Sequence, residues 1–340
     1  MRLVGGVALS TLHALMMNPT ESDFVFALCN PGSEKALKLE AETMALGWRP
    51  GYQRRGFVTF KADAPFSLES LEVELACARR LCLSLGKFPT RQEAERRLAG
   101  FPIHHARYFE RKMQGLPSDL EPETGEIIGT VVELGPEEFW VGLHRHAKIL
   151  SPDPAGDSGI VMPADSPSRA WLKLEEAVRF FDLAFSPADV VVELGCAPGG
   201  VVLALLRRGV SVIGVDPAKM ADVVLSAAIA DRRAAPADKP WFYHCRKPAA
   251  LASKRDLGQD VTWFMSDMNQ APDVVLREYA RFRAMAPSIR GVLITLKLTE
   301  LSQVAEKQQW FAALREMGFS TIRLQQLSVH HKEFALLALK

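Results

Sequence analysis

The sequence is short of the features that announce several common protein classes. It holds five cysteines, at 29, 77, 82, 196 and 245, with no CxxC pair, so neither a disulfide framework nor a cysteine zinc site is indicated. No run approaches the roughly 20 apolar residues that a membrane-spanning helix needs. No excess of one charge exists either: 41 Lys and Arg face 40 Asp and Glu, so bulk charge does not mark a nucleic-acid binder, and any such role rests on local charge. Neither GxGxxG nor a P-loop Gly-Lys-Ser/Thr is present, which removes the usual dinucleotide and nucleoside-triphosphate loops. With 340 residues, 48% of them hydrophobic, the chain has material for two ordinary cores. Reduced thiols and no membrane span predict a cytoplasmic protein.

Residues 1–21 read as an N-terminal extension. Met1–Met17 is mildly apolar, but His13 interrupts it and no small-x-small cleavage pattern follows, so a signal peptide is not expected. Residues 22–150 read as an α+β region. Phe24–Cys29 predicts a strand, Asn30-Pro31-Gly32 a turn, Ser33 a helix cap, 34–46 a helix stopped by Gly47, and 56–60 a second strand. This β-α-β opening fits a ferredoxin-like unit. Residues 127–134 and 139–143 predict a hairpin. Charge is uneven here. Arg49–Lys112 carries 13 basic against 7 acidic residues, and Asp119–Glu138 carries 7 acidic and no basic ones. The contrast fits two solvated faces, or a basic surface that meets phosphate.

Residues 151–167, with four prolines and two glycines, predict a linker. From 168 to 340, strands and helices alternate. Strands are expected near 190–194, 210–215, 261–266, 291–296, 321–326 and 334–339, with helices near 168–185, 201–208, 274–285 and 304–317. Such alternation predicts a doubly wound, mostly parallel, Rossmann-like sheet covered on both faces.

The strand Val190–Leu194 runs into Gly195-Cys196-Ala197-Pro198-Gly199-Gly200 and then a helix; the next strand ends in Asp216. Glycines there let backbone approach a ligand, and an acid at that strand end reaches a ribose diol. The spacing suits a nucleoside without a diphosphate, and S-adenosylmethionine fits that description.

The segment ELGCAPGG resembles the first motif of the FtsJ-type RNA ribose 2′-O-methyltransferases. The resemblance implies a Lys-Asp-Lys-Glu set, and the sequence offers Lys173, Asp267, Lys297 and Glu333 in that order. The wording PADSPSRAWLKLEEA, SDM and TLKL, and the early NPGSEKALKLEAE, resembles the branch that methylates a cytidine ribose in 23S rRNA. That branch implies a THUMP-like RNA-binding region before residue 150. It further implies S-adenosyl-L-methionine as cofactor, held by Ala170, Gly195, Ala197, Pro198, Gly199, Gly200, Asp216 and Asp267. Three positions depart from the pattern: Val201 replaces the usual Trp, Ala170 replaces a Ser, and no acid stands near 246–250 at the third strand.

The expected chemistry is removal of a proton from a ribose hydroxyl and in-line attack on a sulfonium methyl. Lys297 is the expected base, Lys173 a cation that lowers a neighbouring lysine's pKa and steadies the developing alkoxide, and Asp267 the group between them. Glu333 would orient Lys297 or the sugar. The reaction needs no metal. Cys196 is expected to pack rather than react, and the adjacent His330 and His331 to face opposite ways, as structural or RNA-facing groups. Arg54, Arg55, Arg79, Arg80, Arg96, Arg97 and Arg169 are the candidate phosphate contacts. A monomer binding RNA, and 23S rRNA in particular, is the expected assembly. Two alternatives stand beside it: the same chemistry on a tRNA or another rRNA site, and an RNA-binding protein with a decayed cofactor pocket.

Overall fold

The computed structural model describes residues 21–110, 121–228, 236, 239–258 and 260–340. Residues 1–20 of the expected extension, and Arg111, Lys112 and Asp119 of the two charge runs, lie outside the described residues.

The N-terminal half comprises β1 (Glu21–Cys29), α1 (Glu34–Thr43), β2 (Arg49–Arg54), β3 (Phe57–Ser67), β4 (Ala78–Phe88), α2 (Arg91–Leu98), β5 (His105–Phe109), β6 (Ile127–Gly135) and β7 (Glu138–Arg145). They build one sheet in the order β2-β3-β1-β4-β7-β6-β5. Its first four strands are all antiparallel, ordered β4-β1-β3-β2, the ferredoxin-like arrangement with a short 3-10 turn at Glu69–Leu71 where a second helix would stand. β1 is buried on both faces. Val25, Ala27 and Cys29 enter the main core, while Phe26 and Leu28 pack with Phe57, Phe109 and Val132 on the other side.

Two local expectations need correction. Ser33 sits at the N-cap of α1 but its side chain caps nothing; Glu34 Oε1 instead accepts the amides of Gly32 (3.1 Å) and Gly56 (2.6 Å). The helix also ends at Thr43, not Leu46, because Ala45 turns left-handed (φ +53°) and Leu46 N–H reaches back to Ala41 O.

The C-terminal half comprises α3 (Ala170–Phe181), β8 (Val190–Leu194), α4 (Gly200–Arg207), β9 (Ser211–Val215), α5 (Asp222–Ser226), β10 (Phe242–Cys245), α6 (Lys254–Leu257), β11 (Trp263–Ser266), α7 (Pro272–Met285), β12 (Gly291–Lys297), α8 (Lys307–Glu316), β13 (Thr321–Gln325) and β14 (Glu333–Leu339). The sheet order is β10-β9-β8-β11-β12-β14-β13. The first five strands are parallel, and β14 runs antiparallel to both neighbours. This is the doubly wound, mostly parallel sheet the alternation predicts. The chain winds outward from β8 to β10 and returns to β11, so the topological switch point lies between the carboxyl ends of β8 and β11. No helix among the described residues is long and apolar enough to cross a membrane.

The two halves share buried polar contacts. Lys307 makes an ion pair with Glu40, whose carboxylate also accepts the amides of Ala76 (2.7 Å) and Cys77 (2.9 Å). Gln326 N–H donates to Ala76 O at 2.8 Å. The segment expected as a linker is pinned at its start. The buried Arg80 guanidinium donates to Ser151 O (2.6 Å) and Asp153 O (2.9 Å), and Arg179 holds the Asp153 carboxylate at 2.7–2.8 Å. Its prolines and glycines mark irregular backbone, not a free tether.

Candidate active site

At the switch point three strand ends are tied together by backbone. Gly195 N–H donates to Val215 O (3.0 Å), and Asp267 N–H to Leu194 O (3.1 Å). Gly195 adopts φ +75°, and a Cβ there would lie 3.0 Å from the Met268 backbone, so only glycine lets the β8 and β11 ends approach. Gly199 (φ +111°) abuts Met220 and Val224, and Gly200 abuts Ser168 and the Trp171 amide. These two glycines are thus required by packing of the loop against α5 and the start of α3. Asp216 spans the crevice: its carboxylate accepts from Ala197 N–H (3.2 Å) and Ala218 N–H (2.8 Å) and keeps lone pairs for a further donor. Ala170, the first residue of α3, packs half-buried beside this loop.

Four elements bring Lys173, Asp267, Lys297 and Glu333 together. Lys173 lies on the first turn of α3, Asp267 just past β11, Lys297 at the end of β12 and Glu333 at the start of β14. Lys173 Nζ donates to Asp267 Oδ1 at 3.0 Å and Oδ2 at 3.3 Å, and to Glu333 Oε1 at 3.1 Å. Lys297 Nζ donates to the backbone carbonyl of Asp267 at 2.8 Å and lies 3.3 Å from its Oδ1. Asp267 therefore bridges both ammonium groups. Glu333 is ion-paired with Lys173, whereas the sequence offers Lys297 or the sugar as its partner. The four side chains retain 15–22% of their surface, which leaves the Nζ atoms reachable from one side. On that side an open cleft of about 450 Å³ is lined by Lys173, Lys297, Arg169, Asn269, His331 and Lys332.

Behind Lys173 and Asp267 is a partly open pocket of about 30 Å³, with room for water, also bordered by Glu193 and His330. Burial pushes the Glu193 carboxyl well above its usual range, reinforced by the nearby Asp267 and Asp216. Burial, helped by Lys173 and His331, lowers His330 to about 3. His330 Nδ1 accepts the Leu327 N–H at 3.2 Å, which places the ring proton on Nε2. Glu193 Oε2 and His330 Nε2 have no protein partner. Glu193 escaped the sequence reading, although a lone acid inside Val-Val-Val-Glu-Leu was the available signal. His330 is buried and His331 exposed, on the turn before β14. The Cys196 thiol is buried against Met220, and burial raises its pKa, which fits packing and not nucleophilic chemistry.

The candidate phosphate contacts divide. Arg55, Arg96, Arg97 and Arg169 are exposed, and Arg54 stacks on Tyr52 within 3.5 Å of Glu138. Arg79 and Arg80 are corrected: they are only 8% and 4% exposed, on β4, and Arg80 serves backbone carbonyls and His144. Their burial makes them poor candidates for contact with an exposed phosphate backbone.

The glycine turn and the Lys-Asp-Lys-Glu cluster thus lie side by side at the carboxyl ends of the parallel strands. Residues 167–300 match the model of the FtsJ-like methyltransferase family. Similar curated proteins bear the name ribosomal RNA large subunit methyltransferase M. The one from Laribacter hongkongensis is 29% identical over 225 residues, covering 56% of this chain and 64% of that protein. The one from Halorhodospira halophila is 27% identical over 188 residues, covering 54% and 47%. The one from Shewanella amazonensis is 28% identical over 231 residues, covering 65% and 59%. The chain thus matches less than two thirds of the length of these relatives. A solved possible methylase from Clostridium difficile aligns over 93% of this chain at 11% identity with a TM-score of 0.34, a likeness too loose to carry weight.

Proposed function

We propose that this protein methylates the 2′-oxygen of a ribose in ribosomal RNA, and that the acceptor is a cytidine of 23S rRNA. The observation that carries the reading is the Lys173–Asp267–Lys297 contact chain with Glu333 closing on Lys173, beside the glycine turn. The large-subunit substrate named for the relatives supports the choice of RNA.

The turn at the strand ends fits a nucleoside cofactor: the Asp216 carboxylate, which accepts from Ala197 and Ala218 N–H, has spare acceptor capacity for a ribose diol. Gly195, Ala197, Pro198, Gly199, Gly200, Asp216 and Asp267, with Ala170, would hold S-adenosylmethionine there. Bound, it supplies a methyl group already activated by a sulfonium charge. The chain's own task is to orient the acceptor hydroxyl and take its proton. Lys297 Nζ is the base that takes that proton. Lys173 faces the oxygen as it gains charge and so stabilises the alkoxide. Asp267 fixes the spacing of the two ammonium groups, and Glu333 holds Lys173 in place. The chemistry calls for no metal, because the electrophile carries its own activation.

In this reading the N-terminal sheet is a THUMP-like RNA-binding region over residues 22–150, residues 151–167 join it to a methyltransferase domain over 168–340, and the protein works as a cytoplasmic monomer. Exposed Arg169 in the cleft and Arg96 and Arg97 on α2 would meet phosphates. The test is a map of ribose methylation in rRNA from cells with and without the gene. Loss of one methylated cytidine in 23S rRNA is expected. An unchanged 23S pattern would refute the assignment, and a loss in tRNA or 16S rRNA would move the substrate.

A further inference from the structure

We propose that Asn30, from the N-terminal half, is a positioning residue for methyl transfer: its carboxamide holds the strap 326–332 that delivers Glu333 to Lys173. The inference rests on the reaction proposed above and adds a residue far from the reacting groups.

Asn30 follows β1 and is 5% exposed. Its Nδ2 donates to Leu327 O at 2.8 Å and to His330 O at 2.9 Å, almost 300 residues along the chain. Both neighbours are carbonyls, so the amide nitrogen must face them. Leu327 and His330 are the two ends of one turn, which is closed by His330 N–H to Leu327 O at 3.0 Å and by Leu327 N–H to His330 Nδ1 at 3.2 Å. One primary amide thus uses both of its hydrogens to clamp a turn across its ends. A carboxylate cannot donate to either carbonyl, and a hydroxyl could supply only one of the two bonds.

The opposite side of the strap is held by α3. Glu176, one turn beyond Lys173, accepts the Val329 N–H at 3.2 Å and the Ser328 hydroxyl. Further along, Lys332 O accepts the Leu298 N–H at 2.8 Å, and the next residue is Glu333, in register with Lys297. The strap therefore lies between the N-terminal sheet and the helix that carries Lys173, and it ends on the carboxylate that pairs with Lys173. His330 supports the same arrangement: held neutral by burial, it keeps Nδ1 free to accept, and it borders the cavity behind Lys173. The N-terminal half supplies no member of the Lys-Asp-Lys-Glu set, yet it fixes where one of them stands.

The test uses the full chain with Asn30→Asp, which keeps the shape of the side chain but turns an oxygen onto two carbonyls. Two measurements are needed: amide hydrogen exchange along the chain, and methyl transfer from S-adenosylmethionine to unmodified 23S rRNA transcribed in vitro. Expected are faster exchange over 327–333 with β8 and β11 unchanged, and a kcat lower by about 10- to 100-fold, the usual penalty for a displacement near 1 Å. The KM for RNA and the affinity for S-adenosylmethionine should stay within about twofold, because the loss falls on geometry in the transition state. Unchanged exchange over 327–333, or faster exchange with unchanged kcat, would overturn the proposal. Should Asn30→Asp loosen the whole N-terminal sheet, Glu176→Leu, which removes both acceptors, releases the same strap from the α3 side. The same local exchange and kcat loss in that variant would support the proposal, and wild-type values would overturn it. A wild-type protein that methylates no RNA would refute the reaction itself, while the exchange data would still decide whether Asn30 holds the strap.

Discussion

Lys297 and Glu333 stand directly opposite each other across β12 and β14, yet each turns to a different partner: Lys297 to the Asp267 carbonyl at 2.8 Å, Glu333 to Lys173 at 3.1 Å. A simple cross-strand ion pair would have satisfied both at the sheet edge. Dividing them instead leaves Asp267 between two ammonium groups and ties α3 to the strand ends. The arrangement makes the position of each lysine depend on elements that are remote in sequence.

The ion pair between the halves should matter for stability. Lys307 and Glu40 are buried, and Glu40 also satisfies two backbone amides. Lys307→Met leaves that carboxylate buried without its cation, a loss of about 3–5 kcal/mol for a pair of this kind. Urea denaturation of the variant should show a midpoint well below wild type; an unchanged midpoint would mean the pair contributes nothing net.

Gly291 begins β12, and a Cβ there would lie 2.5 Å from the Trp263 ring on neighbouring β11. The ring belongs to the core and has no room to retreat. Gly291→Ala should therefore destabilise the protein by about 1–3 kcal/mol through overpacking. Thermal melting followed by circular dichroism checks this.

Two buried groups should give stability opposite pH dependences. The Glu193 carboxyl is raised in the folded state, so folded protein keeps a proton that unfolded chain releases above about pH 4.5. Its contribution is present below that pH and is lost as pH rises. Glu193→Gln should accordingly melt higher than wild type at pH 8 and close to it at pH 4. His330 behaves the other way. Its folded value of about 3 lies below the ordinary 6.5, so unfolded chain gains a proton first as pH falls. Stability should drop from pH 6.5 towards 3, by at most about 1.4 kcal/mol per pH unit for this one residue. His330→Asn should flatten that acid limb; a limb of undiminished slope would contradict the assignment.

Arg169 is exposed on the rim of the cleft beside Lys173 and Lys297. If it meets one phosphate, Arg169→Ala should reduce the slope of log affinity against log salt by about 0.7–0.9 for RNA. Titrations at several salt concentrations measure that slope. Weakened binding with an unaltered slope would place Arg169 away from phosphate.

Much of the C-terminal sheet was legible because its strands are short β-branched runs such as Val190–Val192 and Val210–Val215, separated by helical spacing. The four charged residues were legible only through a family resemblance; no local pattern joins Lys173 to Glu333 over 160 positions. β2 escaped notice because Arg-Pro-Gly-Tyr-Gln-Arg is polar and edge-placed, and β4 because Arg79-Arg80 looks like a solvated pair. Those arginines are buried because the segment at Ser151–Asp157 folds over them and supplies carbonyls and a carboxylate. Asn30 was read as a turn former, which it is; its second role depends on carbonyls brought to it by the tertiary fold.

The most direct measurement is methyl transfer from S-adenosylmethionine to unmodified 23S rRNA by wild type and by Lys297→Ala, with cofactor binding followed by calorimetry. Wild type should methylate a cytidine ribose. The variant should bind S-adenosylmethionine with nearly unchanged affinity, since Lys297 is not among the cofactor-holding residues, and should transfer no methyl. Retained turnover in Lys297→Ala would contradict a base at that position, and with it the reading of the cluster as the site of ribose methylation.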